Sequence, residues 1–368
     1  MDYGTLSRHV LDVSLGVQEG ERIWINGWDH TTRLVSNLAQ ECRERGCKVT
    51  TSLQSEASWL RSLKSGPTSS LENLSPDQRT LLEEIDSYIF TLGPRHTIDW
   101  REVPQERRSL ATIWLLEENK LVRRWRAIAS RRRIKMLGIE ATLATKERAN
   151  SLGLDFAPYE KSMYKGCLAD SYLMAQQAKR LASILGKVAS VRVTSSKGTD
   201  LRFNLDARPV ELSHGLVTEE EIKSARPVFL PAGSVGATVD EESAAGAIVY
   251  DHPIRRWNGT IEGLRFHVSE GRITRWEASS GSSAFKEYLD SEEMDGDRFA
   301  FVGFGLNPEL SLGYTQDDKV LGAVELNFGE SVSRGGKNRG SRNFWGAISS
   351  ANVTVDGQRI MKAGKLLV

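Results

Sequence analysis

Cysteine is scarce in this chain: Cys42, Cys47 and Cys167 are the whole supply in 368 residues. An odd number cannot pair completely, and Cys42 and Cys47, at the end of a predicted helix, have no zinc-motif spacing. Reduced thiols in the cytosol are expected. Long hydrophobic runs are missing as well. No segment approaches the roughly 18 apolar residues that a membrane span needs, and the opening "MDYGTLSRHV" lacks the basic and apolar regions of a signal peptide. A cytoplasmic protein without a membrane partner is the expectation. Net charge is almost absent, since 49 Lys and Arg against 48 Asp and Glu leave +1, so nothing draws the chain as a whole toward nucleic acid. The six histidines, His9, His30, His96, His214, His252 and His267, are scattered. None stands in HxH, HxxxH or His-x-Asp spacing, so local pattern shows no metal site. His252 in "YDHPI" and His267 in "RFHVSE" read as hydrogen-bonded structural residues. GxGxxG and GxSxG are also absent, which removes the dinucleotide fingerprint and the hydrolase nucleophile elbow. No cofactor is expected.

What is present is a globular composition, 39% hydrophobic and 26% charged, in a chain long enough for two domains. "ERIWING" predicts a short strand. In "TTRLVSNLAQECRERG", Leu34, Leu38 and Cys42 recur at helical spacing before Gly46, and "CKVTTSLQ" predicts a second strand. This βαβ unit requires parallel pairing. "SYIFTLG", "LATIWLL" and "IKMLGIEA" fit further strands of the same sheet, and "DSYLMAQQAKRLASILG" closes a run of amphipathic helices. Beyond Gly186 the texture changes to period-2 alternation around Lys197-Gly198, Glu270-Gly271 and Asp356-Gly357, the pattern of β-hairpins. The fold class expected is a Rossmann-like, mostly parallel α/β domain over 1–188, followed by an α+β domain rich in antiparallel hairpins over 189–368.

Several segments carry chemistry-bearing side chains, each with a plain structural alternative. "INGWDHTT" stands at a strand's carboxyl end, where open α/β sheets bind ligands, but Asp29 reads best as a cap on the following helix. The cluster Arg123, Arg124, Arg126, Arg131, Arg132, Arg133 and Lys135 surrounds Trp125. It resembles a nucleic-acid feature, yet an ion-paired or solvated helix face is the stronger reading, and nucleic acid is not an expected partner. In "KVLGAVELNFG", alternation places Val320, Gly322, Val324, Leu326 and Phe328 on a core face. Leu321, Ala323, Glu325 and Asn327 fall on the other, small and polar as a cleft wall would be. Glu325 reads equally as a cleft residue or as an exposed strand glutamate.

The ordered series of "VQEGERIWINGWDHTTRLVSNLAQECRERGCKV", "GTDLRFNLDARP", "VFLPAGS", "GFGLNP", "DDKVLGAVELNFG" and "TVDGQRI" resembles the aminopeptidase T-like metallopeptidases, a family whose relatives include 2,5-dihydroxypyridine dioxygenases. The resemblance runs nearly end to end. It implies an active site in the C-terminal half and a homodimer. The family's metal ligands carry over badly. The Glu of its LPAGE turn falls on Ser234 and the Glu opening ELGIGLNP falls on Phe301. The Glu of DEK becomes Asp318, the His of GTxH becomes Glu325, and the closing His-x-Asp falls on Asn343 and Trp345. Asp318 and Glu325 without an imidazole would hold a transition metal poorly. The dioxygenase set of two His and a carboxylate would fall on Glu325, Asn343 and Trp345. Loss of the metal is therefore the expectation.

The loop "SRGGKNRGSRNFW" adds Arg334, Lys337, Arg339 and Arg342 near these positions. They would neutralise Asp318 and Glu325 or grip a peptide carboxylate in bidentate fashion, unless they merely solvate a flexible loop. Trp345 would fill vacated space or offer a stacking wall. The functional expectation is a metal-free, aminopeptidase-like protein that binds a peptide or peptide-like ligand in the former cleft, within a peptide-modifying pathway. Ser234, Phe301, Asp318, Glu325, Arg334, Lys337, Arg339, Arg342, Asn343 and Trp345 are the candidate binding residues. One alternative is an enzyme in which Asp318 or Glu325 serves as general base and a loop arginine stabilises developing negative charge. The other is a residual metallopeptidase that recruits His252 or His267.

Overall fold

The computed structural model describes residues 1–111, 120–291, 294–340 and 342–368. The chain divides into two compact units, Met1–Ser171 with Gly215–Pro231, and Tyr172–His214 with Ala232–Val368. This differs from one division after residue 188. The helix Ser171–Leu185 falls almost wholly in the second unit, and a short segment returns from the second half to the first unit's sheet.

In the first unit, β1 (Arg22–Trp28), β2 (Lys48–Gln54), β3 (Ser87–Thr91) and β4 (Lys135–Ile139) pair in parallel. The helix Thr32–Glu44 makes the first crossover and buries Leu34, Val35, Leu38, Ala39 and Cys42. Gly46 then takes φ +74°, which a side chain would resist, and the chain turns into β2. Asp29 does not cap that helix. Its Oδ2 instead accepts from the Glu56 N–H at 3.1 Å, at the start of the helix Glu56–Ser65. The strand expected over 110–116 is not found at its start: Leu110 and Ala111 end the helix Gln105–Ala111, and the remainder lies outside the described residues. The basic cluster lies on and just after the helix Lys120–Arg132. Arg124 donates to Asn73, Arg131 and Arg133 meet Glu83 and Glu219, and Lys135 reaches Glu21 at 2.6 Å. Trp125 is buried beside Trp24 and Tyr88, unavailable for stacking on a base. The ion-paired reading fits these contacts.

The second unit begins with the hairpin of β5 (Val188–Thr194) and β6 (Asp200–Ser213). The chain then returns β7 (Val228–Leu230) to the edge of the first sheet, beside β4, giving that sheet the order β2-β1-β3-β4-β7. Next come β8 (Ser234–Val239), β9 (Ala245–Val249), the short pair β10 (Ile254–Arg256) and β11 (Gly259–Ile261), and the hairpin of β12 (Arg265–Ser269) and β13 (Arg272–Glu277). Three long-range partners follow: β14 (Phe299–Gly305), β15 (Val324–Gly329) and β16 (Asn343–Ile348). The meander of β17 (Asn352–Val355), β18 (Gln358–Lys362) and β19 (Lys365–Leu366) ends the chain. Along the main path the antiparallel sheet runs β16-β15-β14-β8-β6-β5-β17-β18-β19. Glu270-Gly271 and Asp356-Gly357 both have positive φ at both positions, as tight primed hairpin turns require.

The core face of β15 forms as the alternation predicts. Val324, Leu326 and Phe328 are fully buried, and Phe266 meets Phe328, Phe285 and Tyr250 in a ring cluster beneath the sheet. The regular strand starts only at Val324, because Asp317–Lys319 forms a 3₁₀ turn before it. The other face is buried as well: Glu325 is 8% exposed and Asn327 1%. Glu325 is therefore no exposed strand residue.

Candidate functional site

Register assembles the site. Gly303 of β14 lies opposite Gly236 of β8 and Glu325 of β15; Glu325 in turn faces Ala347, and Gly236 faces Glu211 of β6. Directly opposed residues project to one face of a sheet. The side chains of Glu211, Glu325 and Ala347 thus rise on one face, with glycines between. The adjacent row on that face is Thr238, Phe301, Asn327 and Trp345. Ser234 and Asn343 share it, two residues from Gly236 and Trp345 along their strands. Ser234, Phe301, Glu325 and the Asn343–Trp345 stretch, far apart in sequence, are brought to a common face.

The glycines make room. A Cβ on Gly236 would stand 2.3 Å from the Phe301 ring, and one on Gly303 would stand 2.8 Å from Glu325 Oε2. The Phe301 ring and the Glu325 carboxylate therefore lean over backbone that only glycine leaves open. Asn327 donates to Glu325 Oε1 at 3.2 Å. Burial pushes the Glu325 carboxyl up to about 7, the nearby Asp318 charge adds to this, and Arg334 and the Asn327 amide act against it. The Asn327 and Asn343 side-chain oxygens are buried without hydrogen-bond partners.

Among the loop cations, Arg334 is placed over this face. Its guanidinium lies 4.5 Å from the Phe301 ring centre, and its Nε is 3.6 Å from Glu211 Oε2. The Thr238 hydroxyl donates to its carbonyl at 2.9 Å. The loop is clamped by a buried ion pair, in which Arg208 grips Glu241 with both ends of its guanidinium at 2.7 and 2.8 Å. Glu241 also accepts from the Ser331 hydroxyl at 2.9 Å and the Lys337 N–H at 2.5 Å. Burial alone would raise the Glu241 pKa, but Arg208, the Lys337 amide and Ser331 together hold it down at about 2. Lys337 and Arg339 are exposed, and Arg339 uses its backbone N–H to bind Asp295. Arg342 donates to the Ser291 hydroxyl. His252 carries no hydrogen bond at its buried Nε2, which stands 3.7 Å from Asp251, so the expected hydrogen-bonded structural role does not describe it. His267 lies on β12.

Beside this face a pocket opens at the free edge of β16. His252, Arg255, Arg256, Asp317, Trp345 and Ala347 are among its walls. Arg255 and Arg256 went unread in the sequence, where "IRR" shows only a basic doublet, and Glu211 was lost in the alternation of β6. Among the described residues, no three His, Cys, Asp or Glu side chains are gathered where they could hold a metal ion. No helix among the described residues is long and apolar enough to cross a membrane.

The chain belongs to the thermophilic metalloprotease (M29) family, which it matches over residues 4–296. Its fold is similar to that of wild-type AmpT from Thermus thermophilus, with a TM-score of 0.67 and 14% identity over 100% of this chain and 99% of that one. It is also similar to 2,5-dihydroxypyridine dioxygenase from Pseudomonas putida KT2440, with a TM-score of 0.61 and 14% identity over 100% and 97% of the two chains. No curated protein matches the sequence. The expected fold, a parallel α/β sheet followed by a hairpin-rich antiparallel region, is the one observed.

Proposed function

We propose that this chain is a metal-free member of the M29 family that binds a peptide or peptide-like ligand at the Glu325 face and the adjoining pocket. The observation that carries the reading is the position of Arg334. A guanidinium rests on Phe301 and beside Glu211, over the face where the family resemblance would place the metal. A resident cation there opposes a divalent one, and the rings of Phe301 and Trp345 offer no ligand atoms. The donor set does not fit a divalent metal. The polar pocket beside a largely filled face suits ligand binding, and the homodimer implied by the resemblance is part of the proposal. Elemental analysis of purified protein, together with calorimetric titration of a peptide panel, tests it. The expected result is sub-stoichiometric zinc, cobalt and iron with saturable binding of a subset of peptides. Stoichiometric metal, or no binding by any peptide, overturns the reading.

A second reading has its own support in Glu325. A buried carboxyl pushed up to about 7 can take and return a proton near neutral pH. In this reading Glu325 is the general base of a cyclisation, isomerisation or proton transfer, and Arg334 balances the charge that develops. Glu325→Gln would then abolish product formation in the pathway while ligand affinity changes little. Unchanged product formation rules Glu325 out.

A further inference from the structure

The pocket at the edge of β16 has an uneven charge balance. Arg255 and Arg256 line it together with His252, and Asp317 is the one carboxylate among its walls. Asp317 is occupied by the loop that carries it, where its Oδ1 accepts from the Gly313 N–H at 2.7 Å. Arg255 donates to the Gly313 carbonyl at 3.3 Å. Arg256 is half-buried, and its guanidinium lies 5.0 Å from the ring centres of both Phe344 and Trp345. It donates to the Trp345 carbonyl at 2.6 Å and the Arg255 carbonyl at 3.0 Å. No carboxylate stands within ion-pair distance of it among the described residues. Burial pulls its pKa down to about 10, so it remains charged at neutral pH.

A half-buried cation held by carbonyls and ring faces lacks an anion within ion-pair distance to balance it. The two carbonyl bonds use one N–H on each terminal nitrogen of Arg256, and the remaining N–H groups of the guanidinium can donate to a planar carboxylate. Arg334 is not available for this, being held against Phe301 and Glu211. The pocket is small and open to solvent, which suits one end of a ligand rather than a whole chain. We infer that this pocket is a carboxylate-recognition subsite in which Arg256, with Arg255 at its side, holds the free carboxylate of the ligand against Trp345. The inference rests on the peptide-binding reading and names the chemical group that the ligand must present.

The test is calorimetric titration with three probes: N-acetyl-dialanine, its C-terminal amide, and benzoate. The acid is expected to bind about 10-fold or more tightly than the amide, as for a hydrogen bond to a charged group. Benzoate is expected to compete with it. Arg256→Gln should abolish the difference between acid and amide. Because Arg256 also ties down the edge of β16, Arg255→Gln is measured in parallel and should narrow the preference in a folded protein. Equal binding of acid and amide overturns the subsite while leaving peptide binding intact. Benzoate binding without either peptide supports the subsite and overturns the peptide reading. No binding by any probe overturns both.

Discussion

Two glutamates of one antiparallel sheet, Glu241 after β8 and Glu325 in β15, are buried to 2% and 8% exposure and meet opposite fates. At Glu241 the chain supplies a full complement of partners. Arg208 grips both oxygens, and Ser331 and the Lys337 amide add donors, so the charged form wins despite burial and the pKa falls to about 2. At Glu325 the Asn327 amide donates to the carboxylate, Asp318 repels it, and Arg334, whose charge acts against the shift, pairs with Glu211. Burial then dominates and the pKa rises to about 7. The first arrangement is a clamp, built to hold a loop still. The second is under-paired, and under-paired carboxyls of this kind cluster where chemistry or binding takes place.

The largest effect should come from breaking the clamp. Glu241→Gln leaves Arg208 buried opposite a neutral group and is expected to cost about 3–5 kcal/mol in urea unfolding. Faster hydrogen exchange over 331–338 should accompany it. The sign with pH follows from the depressed pKa: the contribution of Glu241 is complete above its unfolded value of 4.5 and is lost as pH falls toward about 2. A loss below about 1 kcal/mol would make the two glutamates alike and dissolve the contrast.

The same change at Glu325 should act in the opposite direction. Its folded pKa lies above the ordinary 4.5, so wild-type stability falls as pH rises from 4.5 to about 7 and stays lower beyond. Glu325→Gln removes that penalty. The variant should be more stable than wild type by up to about 3 kcal/mol at pH 8 and nearly equal to it at pH 4. Urea unfolding at the two pH values reads the difference, and destabilisation at pH 8 would mean that the carboxylate is better paired than its surroundings indicate. The smallest effect is expected from Arg334→Met, which preserves packing on Phe301 and removes the charge. The Glu325 carboxyl should titrate higher still, followed by carbon-13 NMR, and the half-exposed pair with Glu211 should cost about 1 kcal/mol or less.

Much of this molecule is readable from short-range pattern. Leu34, Leu38 and Cys42 mark their helix, and Glu270-Gly271 and Asp356-Gly357 mark their turns, because helical period and positive φ are local properties. The strand expected at 110–116 fails at its start because an apolar run of that length serves helix and strand equally. At the site, residue types at the positions of the family's metal ligands were legible, including Phe301 and Trp345. Their neighbours were not: nothing near Glu211 in the chain announces that it faces Gly236, or that Arg334 would choose it over Glu325. Arg256 gave no signal either, since its partner Trp345 comes 89 residues later, next to Phe344.

The sequence by itself determined the hairpins, the parallel start and the residue types at the family's ligand positions, because propensity, turn chemistry and side-chain identity travel with the chain. The tertiary structure alone decided which glutamate is clamped and which is left to titrate near neutrality. That outcome depends on strand register and on where a few long arginine side chains come to rest, and electrostatic energy depends on distance and burial rather than on order along the chain.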